Sequence, residues 1–537
     1  MNLTTASKYV GVRALVVCLI VGALYALHKG QDAAWDLKNY HLYNAWSLLR
    51  GRLTRDLAPV GLQGFFNPLL DVPYYWLGTG LLQHLPRLLA ALQGLCYGAL
   101  LFVLLRLAMR LAEIRERPFG KSDLLAVGIG ATGTMLASQT GSSTNEVPLA
   151  LLILLGFYVL LPFCSSVLPT RPVRRAMLAG FFCGLAAGLK PTAVVYTPAL
   201  ALALWIALGA GARAWQLSCV FVLAAFGAFL LAYGWWGLEL FRLTGNPVFP
   251  MFNQVFHSPW ASPAANTDRQ FMPKSLTQWI FYPFYWIQKN RYQGGNTFAD
   301  ARYAFAMVAL TLVAAVSWRQ RARQAVGSRA VRFMLVFIVT SYTLWLLLYS
   351  ILRYAIPIEV LTGLMVLVAL QELAPSSINR EKTSRWIFLA MAGVAVILAG
   401  CTRYTDWGHA PYAPVAFDVR PPAIPPGSMV LVIGQPNAYV IPFFGNAQTL
   451  EFVGVTWLTS ETDGYRLAEL TQQRIRAHDG PMYAITRNNN AADQLQLRSI
   501  LPAARLVDCQ PVISAMERTM RGTDLSDGLR LCKVFRG

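Results

Sequence analysis

The densest run of reactive side chains is Gln31-Asp32-Ala33-Ala34-Trp35-Asp36-Leu37-Lys38-Asn39-Tyr40-His41-Leu42-Tyr43. It brings together two carboxylates, an amine, an imidazole and two phenols. In helical geometry Asp32, Asp36, Tyr40 and Tyr43 share one face, because they follow one another at spacings of four, four and three. A carboxylate beside apolar surface holds its proton more tightly unless a cation or donor offsets the burial. Such a group suits removal of a proton from a bound hydroxyl. Asp32 and Asp36 both fit that role. The same residues fit a solvated loop whose aspartates cap helices equally well.

Further polar groups punctuate apolar sequence. Phe65-Phe66-Asn67-Pro68-Leu69-Leu70-Asp71-Val72-Pro73-Tyr74-Tyr75 reads as a short re-entrant helix opened by Pro68, or as an interfacial aromatic belt. Thr144-Asn145-Glu146-Val147-Pro148 puts an acid at the start of an apolar helix, where the helix dipole favours it. Lys190, in Gly188-Leu189-Lys190-Pro191-Thr192, and Arg353, in Arg353-Tyr354-Ala355-Ile356-Pro357, stand at the ends of apolar runs. A cation there needs a partner or must snorkel to the interface. Together the two make a candidate clamp for a lipid-borne phosphate. His41 and His257 lie near polar groups but have no third ligand, and the cysteine spacings match no metal site. A divalent metal is not indicated and no cofactor is expected.

These residues need elements to hold them. The 537 residues are 55% hydrophobic and 13% charged, against about 25% charged in ordinary globular chains. Mean hydropathy is +0.43. This excludes a disordered chain, a disulfide scaffold and a simple soluble enzyme, and implies many membrane spans. Eleven apolar runs are read, at 10–28, 86–106, 123–139, 147–164, 177–190, 193–210, 216–240, 302–318, 333–351, 354–371 and 386–401. The fifth and sixth meet at Lys190-Pro191 as a short pair. The first is read as an uncleaved anchor rather than a signal peptide.

The net charge of +20 is concentrated before Thr402, where 33 basic residues face 14 acidic ones. The clusters Arg106 to Lys121, Arg171 to Arg175, Arg213, Arg319 to Arg332 and Arg380 to Arg385 each follow an even-numbered run. That is the positive-inside pattern, not a nucleic-acid-binding patch. It predicts an odd number of spans, a cytoplasmic N-terminus and an external C-terminus.

Three segments, 29–85, 241–301 and 402–537, are then long and external. In the first, Trp46, Leu48, Leu49 and Leu53 beside Arg50, Arg52 and Arg55 predict an amphipathic helix lying on the bilayer. The third begins with a Pro-rich linker from Pro411 to Pro426. Strand-like runs follow at 429–434, 448–456, 482–487, 505–512 and 529–535, with helical patterns at 461–478 and 491–501. The alternation predicts a small α/β domain. Cys509 and Cys532 fall on two of its strands, in a compartment that permits a disulfide.

Taken in order, these residues resemble the GT-C superfamily of integral-membrane glycosyltransferases. They are similar to the protein O-mannosyltransferases and to lipid A aminoarabinose transferase. The likeness spans roughly residues 10–400. It is carried by Asp36 soon after the first run with Tyr40 four residues on, and by the Ala45-Trp46-Ser47-Leu48-Leu49-Arg50-Gly51 helix. It continues through the Asn67-Pro68-Leu69-Leu70 turn, Glu146 opening the fourth run, the Gly-Leu-Lys turn at Lys190 and the Arg-Tyr-x-x-Pro stretch at Arg353. The resemblance implies a mainly α, polytopic transmembrane fold of about 11 helices over residues 1–401, with 402–537 as a small extracytoplasmic α/β domain. It implies an inverting transfer of a sugar from a polyprenyl-phosphate donor to a glycan, lipid or protein acceptor of the cell envelope. The reaction would run on the outer face of a bacterial inner membrane. Asp36 becomes the expected catalytic base. Asp32, Lys38, Tyr40, His41, Asn67, Asn145, Glu146, Lys190 and Arg353 become the expected substrate-binding residues. A lipid-linked sugar flippase or other transporter is the competing class. It would show broken or polar helices near mid-membrane in paired halves, whereas here the polar residues gather outside and no halves repeat. A non-catalytic envelope assembly protein working through its tail is the third reading.

Overall fold

The computed structural model describes residues 3–263, 268–288, 297–319, 326–374, 380–456, 459, 465–487, 491–520 and 528–536. Arg321 and Arg323 of one expected basic cluster, and residues 461–464 of an expected helix, lie outside the described residues.

All eleven apolar runs lie on helices. In lipid, a helix is the element that lets an isolated apolar stretch satisfy its own backbone. Among the described residues, six helical segments are long and apolar enough to cross a bilayer: Gly11–Lys29, Pro86–Ile114, Glu146–Cys164, Ala212–Thr244, Arg329–Leu348 and Glu381–Cys401. The pair Leu352–Glu359 and Thr362–Leu373, bent by 44°, makes a seventh if it is one span. The chain is a multi-pass, mainly helical membrane protein. Ends that follow even-numbered runs meet on one face: Arg115 pairs with Glu372 at 2.7 Å, and Arg329 donates to the Ser165 carbonyl at 3.4 Å.

The run at 123–139 is broken into Lys121–Ala131 and Thr134–Gln139. Two buried carboxylates hold the break open. Glu359 accepts from the backbone N–H groups of Met135 at 3.1 Å and Leu136 at 3.0 Å, and Asp300 accepts from that of Thr134 at 3.2 Å. Gly133 is required there, since a Cβ would stand 1.7 Å from a Glu359 oxygen. At the other end Lys29 donates to the carbonyls of Ala137 and Ser138. Anions at its start and a cation at its end suit the helix dipole. The short helix delivers the polar turn 140–146 to the site.

The tail folds as expected into a five-stranded sheet flanked by helices Arg466–Ala477 and Ala491–Ile500. Its strands are β1 (Met429–Ile433), β2 (Glu451–Val455), β3 (Met482–Arg487), β4 (Arg505–Pro511) and β5 (Leu529–Phe535), in the order β2-β1-β3-β5-β4. β1 runs parallel to β2 and β3, and β5 runs antiparallel to β3 and β4. Every residue of β1 is buried, as a central strand covered on both faces requires. Leu431 faces Ile475 and Leu497 of the two helices. Val430 and Val432 face a core shared with Leu37, Tyr40 and Trp46 of the first external loop. A bridge between Cys509 and Cys532 joins β4 to β5. It closes a loop of 23 residues, worth about 3 kcal/mol by chain entropy.

The first loop is clamped beneath this sheet. Its helix Leu42–Leu49 buries Trp46 against Phe452 of the tail. Arg52, expected on the polar face, is buried: it pairs with Asp56 at 2.5 Å, donates to the Leu450 carbonyl at 2.7 Å and lies over the rings of Trp46 and Phe452. Leu57 exchanges backbone hydrogen bonds with Phe452 and Gly454. Gly454 permits that approach, because a Cβ there would meet the Ala58 carbonyl at 2.0 Å. The Pro-rich linker is also tied down, with Tyr412 donating to the Leu27 carbonyl and Val419–Arg420 paired with Ile513–Ser514.

Lys38 takes part in this clamp. Its ammonium lies 3.4 Å from Glu517, which also meets Arg487 at 2.8 Å and Tyr439 at 2.7 Å. Burial pushes the Glu517 carboxyl up, but Arg487 and Lys38 outweigh it and hold it below its ordinary 4.5. A carboxylate depressed in the folded state stabilises the fold above its unfolded pKa, and that contribution is lost as pH falls through the folded value. Glu517→Ala should therefore lower stability by about 3 kcal/mol near neutral pH, read from denaturant melts of the full chain. The gap to the parent protein should close as the pH drops below about 4.5. A variant as stable as the parent at pH 7 refutes this role.

Candidate active site

Four charged side chains converge where the first loop meets the helix ends. Arg353 lies 2.5 Å from Asp36 and 3.7 Å from Glu146. Lys190 lies 2.5 Å from Glu146 and donates to the Thr144 carbonyl at 2.9 Å. Each residue comes from a break in regular helix. Asp36 precedes a π-turn at Leu37–His41, an irregularity frequent at functional sites. Glu146 opens a helix whose N-cap, Asn145, has the left-handed φ of 73°. Lys190 is extended between Leu189 and Pro191, because a proline disfavours helix in the residue before it. Arg353 lies in the tight turn Leu352–Ala355 before the bent helix pair.

Aromatic faces enclose the cations. Arg353 lies over the rings of Tyr354 at 5.4 Å and Trp407 at 5.5 Å, and Lys190 over Tyr354 at 5.6 Å. Their side chains remain 16% and 14% exposed, so both keep an open side. Burial pushes the Asp36 carboxyl up, but Arg353, then His41 and Lys190, more than offset it. Asp36 is held below its ordinary 3.8 and is ionised. Burial and then the Asp36 charge push the Tyr40 phenol well above its usual value, so Tyr40 stays protonated beside the carboxylate.

His41 belongs to an adjoining group. Its Nδ1 lies 2.7 Å from Asp71, which also accepts from the Asn145 side chain at 2.6 Å. The Tyr40 and His41 rings are 4.1 Å apart. The structure thus brings Asp36, Tyr40, His41, Asn145, Glu146, Lys190 and Arg353 together. Among the described residues no group of three His, Cys, Asp or Glu is placed to hold a metal ion.

Three expected site residues lie elsewhere. Asp32 is not on the Asp36 helix face: Gln31–Asp32 is a short strand paired with His409–Ala410. Its carboxylate is filled by the Ser143 N–H at 2.6 Å, the Ala34 N–H at 3.0 Å and the Gln93 amide at 3.2 Å. Lys38 faces Glu517 and does not contribute to holding Asp36 ionised. Asn67 donates to the carbonyls of Gly188 at 2.9 Å and Ala232 at 3.0 Å, so it braces the turn that presents Lys190. Tyr43, expected beside Tyr40, instead donates to Asp56. Sequence reasoning missed Trp407, Asp71 and Tyr354. Asp71 and Tyr354 stood inside quoted motifs. Trp407 reaches the site from the start of the tail, ahead of the Pro-rich linker, and no local pattern marks it.

The fold, a helical membrane body with an α/β tail closed over its first loop, is similar to that of two solved structures. ArnT from Cupriavidus metallidurans bound to undecaprenyl phosphate matches over 99% of this chain and 98% of its own, with a TM-score of 0.53 at 12% identity. Arabinofuranosyltransferase AftD from Mycobacteria matches over 97% of this chain, with a TM-score of 0.50 at 14% identity. This chain spans 41% of AftD. No family model and no curated protein matches the sequence.

Asn67→Ala should cost about 1–3 kcal/mol, because two buried carbonyls lose their donor. Asn67→Asp should cost more, since it sets a carboxylate against those carbonyls. Thermal unfolding of the two variants beside the parent checks both the loss and its order. An Asp variant as stable as the parent would remove Asn67 from this bracing role.

Proposed function

We propose that the chain is an inverting glycosyltransferase that moves a sugar from a polyprenyl-phosphate donor to a hydroxyl of a cell-envelope acceptor. The observation that carries the reading is Asp36, ionised and ion-paired to Arg353 in a cluster with Glu146 and Lys190. The likeness to ArnT bound to undecaprenyl phosphate supports the donor class. The Arg clusters support an orientation with the N-terminus cytoplasmic and the tail external, which puts the reaction on the outer face of the membrane, read here as a bacterial inner membrane. A reporter active only outside the cytoplasm, fused after residue 402, should be active. A cytoplasmic reporter active at that point refutes the orientation.

The step runs as follows. Lys190 and Arg353 receive the donor phosphate through their open sides. The acceptor oxygen bonds to the anomeric carbon on the face opposite the phosphate. The bond from that carbon to the phosphate oxygen breaks, and its electron pair leaves on the phosphate. The hydroxyl proton passes to an Asp36 oxygen. A carboxylate tightly paired to a guanidinium is a weak base. When an anion binds Arg353 and Lys190, it draws them from Asp36 and adds a negative charge nearby, and both effects raise the Asp36 pKa. Donor binding thereby strengthens the base at the moment of use.

Asp36→Asn should lower kcat by a factor of about 10²–10⁴ without raising donor KM. Lys190→Ala should raise donor KM about 10- to 100-fold, the loss of one charge-assisted contact. The acid limb of kcat/KM should fall below 3.8, following free Asp36. The acid limb of kcat should lie higher, following Asp36 in the complex. Turnover of a polyprenyl-phosphate sugar in detergent measures all of these. Near-normal turnover by Asp36→Asn sinks the base assignment, and coincident limbs sink the coupling.

A further inference from the structure

Beside the charged cluster, on its His41 side, lies a cavity of 260 Å³ that the donor and base residues above leave unused. Part of its wall is apolar, with Leu70, Leu89 and Leu92. The rest is polar, with His41, Gln139 and Ser143. These three residues are 4%, 0% and 7% exposed. His41 Nε2, Gln139 Nε2 and Ser143 Oγ are buried without a hydrogen-bond partner.

Other atoms anchor these residues: His41 Nδ1 lies in ion-pair reach of Asp71 though without a hydrogen bond, Gln139 Oε1 accepts from Thr144 at 2.6 Å, and the Ser143 backbone N–H donates to Asp32 at 2.6 Å. Gln139 is thus fixed through its oxygen and Ser143 through its backbone, while the atoms named above stay unmet. Buried unmet polar groups are costly and await a partner. No Lys or Arg lines the cavity. The carboxylates of Asp32 and Asp71 stand at or behind its polar wall, so a phosphate is disfavoured there. Neutral hydroxyls, which both donate and accept, match the unmet atoms.

The position completes the argument. Leu37 and His41 line the cavity, while Asp36, just before Leu37, pairs with Arg353. Asp36 is thus next in the chain to one wall residue of this cavity and interacts electrostatically with another, His41, while its carboxylate pairs with Arg353. We propose that the cavity binds the acceptor, as an uncharged polyhydroxylated headgroup on an apolar chain, with His41, Gln139 and Ser143 receiving its hydroxyls. This rests on the reading of Asp36 as the base.

The test is photo-crosslinking of the full chain in phosphatidylcholine nanodiscs, with an alkyl glucoside carrying a diazirine in its chain. Labelling should fall within residues 37–42, 70–96 or 139–148. Octyl glucoside should compete and octyl phosphate should not. Gln139→Leu should weaken capture about 10-fold, the loss of one good hydrogen bond. Leu92→Trp, at an exposed position of the apolar wall clear of the polar network, should block capture by filling the space. Asp36→Asn should capture like the parent. Labelling elsewhere, equal competition by octyl phosphate, or undiminished capture by Leu92→Trp overturns the assignment. Because capture needs no turnover, its loss overturns the cavity even where Asp36→Asn is inactive. A fully active Asp36→Asn overturns the base even where capture holds.

Discussion

Taking a carboxylate and a guanidinium out of water costs several kcal/mol for each ion, and their attraction offsets this when the geometry is good and other groups satisfy what remains. Asp36 and Arg353 meet that condition 317 residues apart in sequence. Two cations against one carboxylate would leave a net charge at the membrane boundary. Glu146 removes it, pairing with Lys190 and lying within reach of Arg353. Much of the fold serves to hold these four groups together. A π-turn, a left-handed cap, an extended residue before proline and a tight turn before a bent helix each present one of them. Irregular backbone at membrane depth is tolerated where protein covers it, so the site and its cover are mutually dependent.

That cover is the tail. The strand Gln31–Asp32, which leads into Asp36, is completed by His409–Ala410 from the start of the tail. Trp407, from the same segment, lies over Arg353. Lys38 is held by Glu517, and Arg52 by Asp56 and the Leu450 carbonyl. The sheet face and the first loop share one apolar core. The tail is therefore a wall of the site and not an appendage on a flexible linker.

What the sequence could reveal follows the range of the interactions. Apolar runs and positive clusters are local features, and each run became helix. Asp36, Glu146, Lys190 and Arg353 announced themselves because a charge at the end of an apolar run needs a partner. The partners themselves were not legible, since Lys38 finds Glu517 across 479 positions and Asn67 finds Gly188 across 121. The helical face drawn through Asp32, Asp36, Tyr40 and Tyr43 failed for a local reason. Asp32 is in a strand, and the π-turn after Asp36 changes the residue spacing, so Tyr43 points to Asp56 while Tyr40 stays near Asp36.

The near-neutral balance of the quartet also sets how it can respond to an anion. Two unpaired cations would bind phosphate tightly and hold the product as firmly as the donor. With Asp36 and Glu146 already engaged, an incoming phosphate must share Arg353 and Lys190 with them, so binding is tempered. The sharing is felt at once by Asp36, whose proton affinity depends first on burial and next on Arg353. Glu146 divides its interaction between both cations. In the proposed reaction one carboxylate is the variable base and the other the fixed counter-charge. The asymmetry arises from geometry, because Asp36 pairs with one cation and Glu146 touches both.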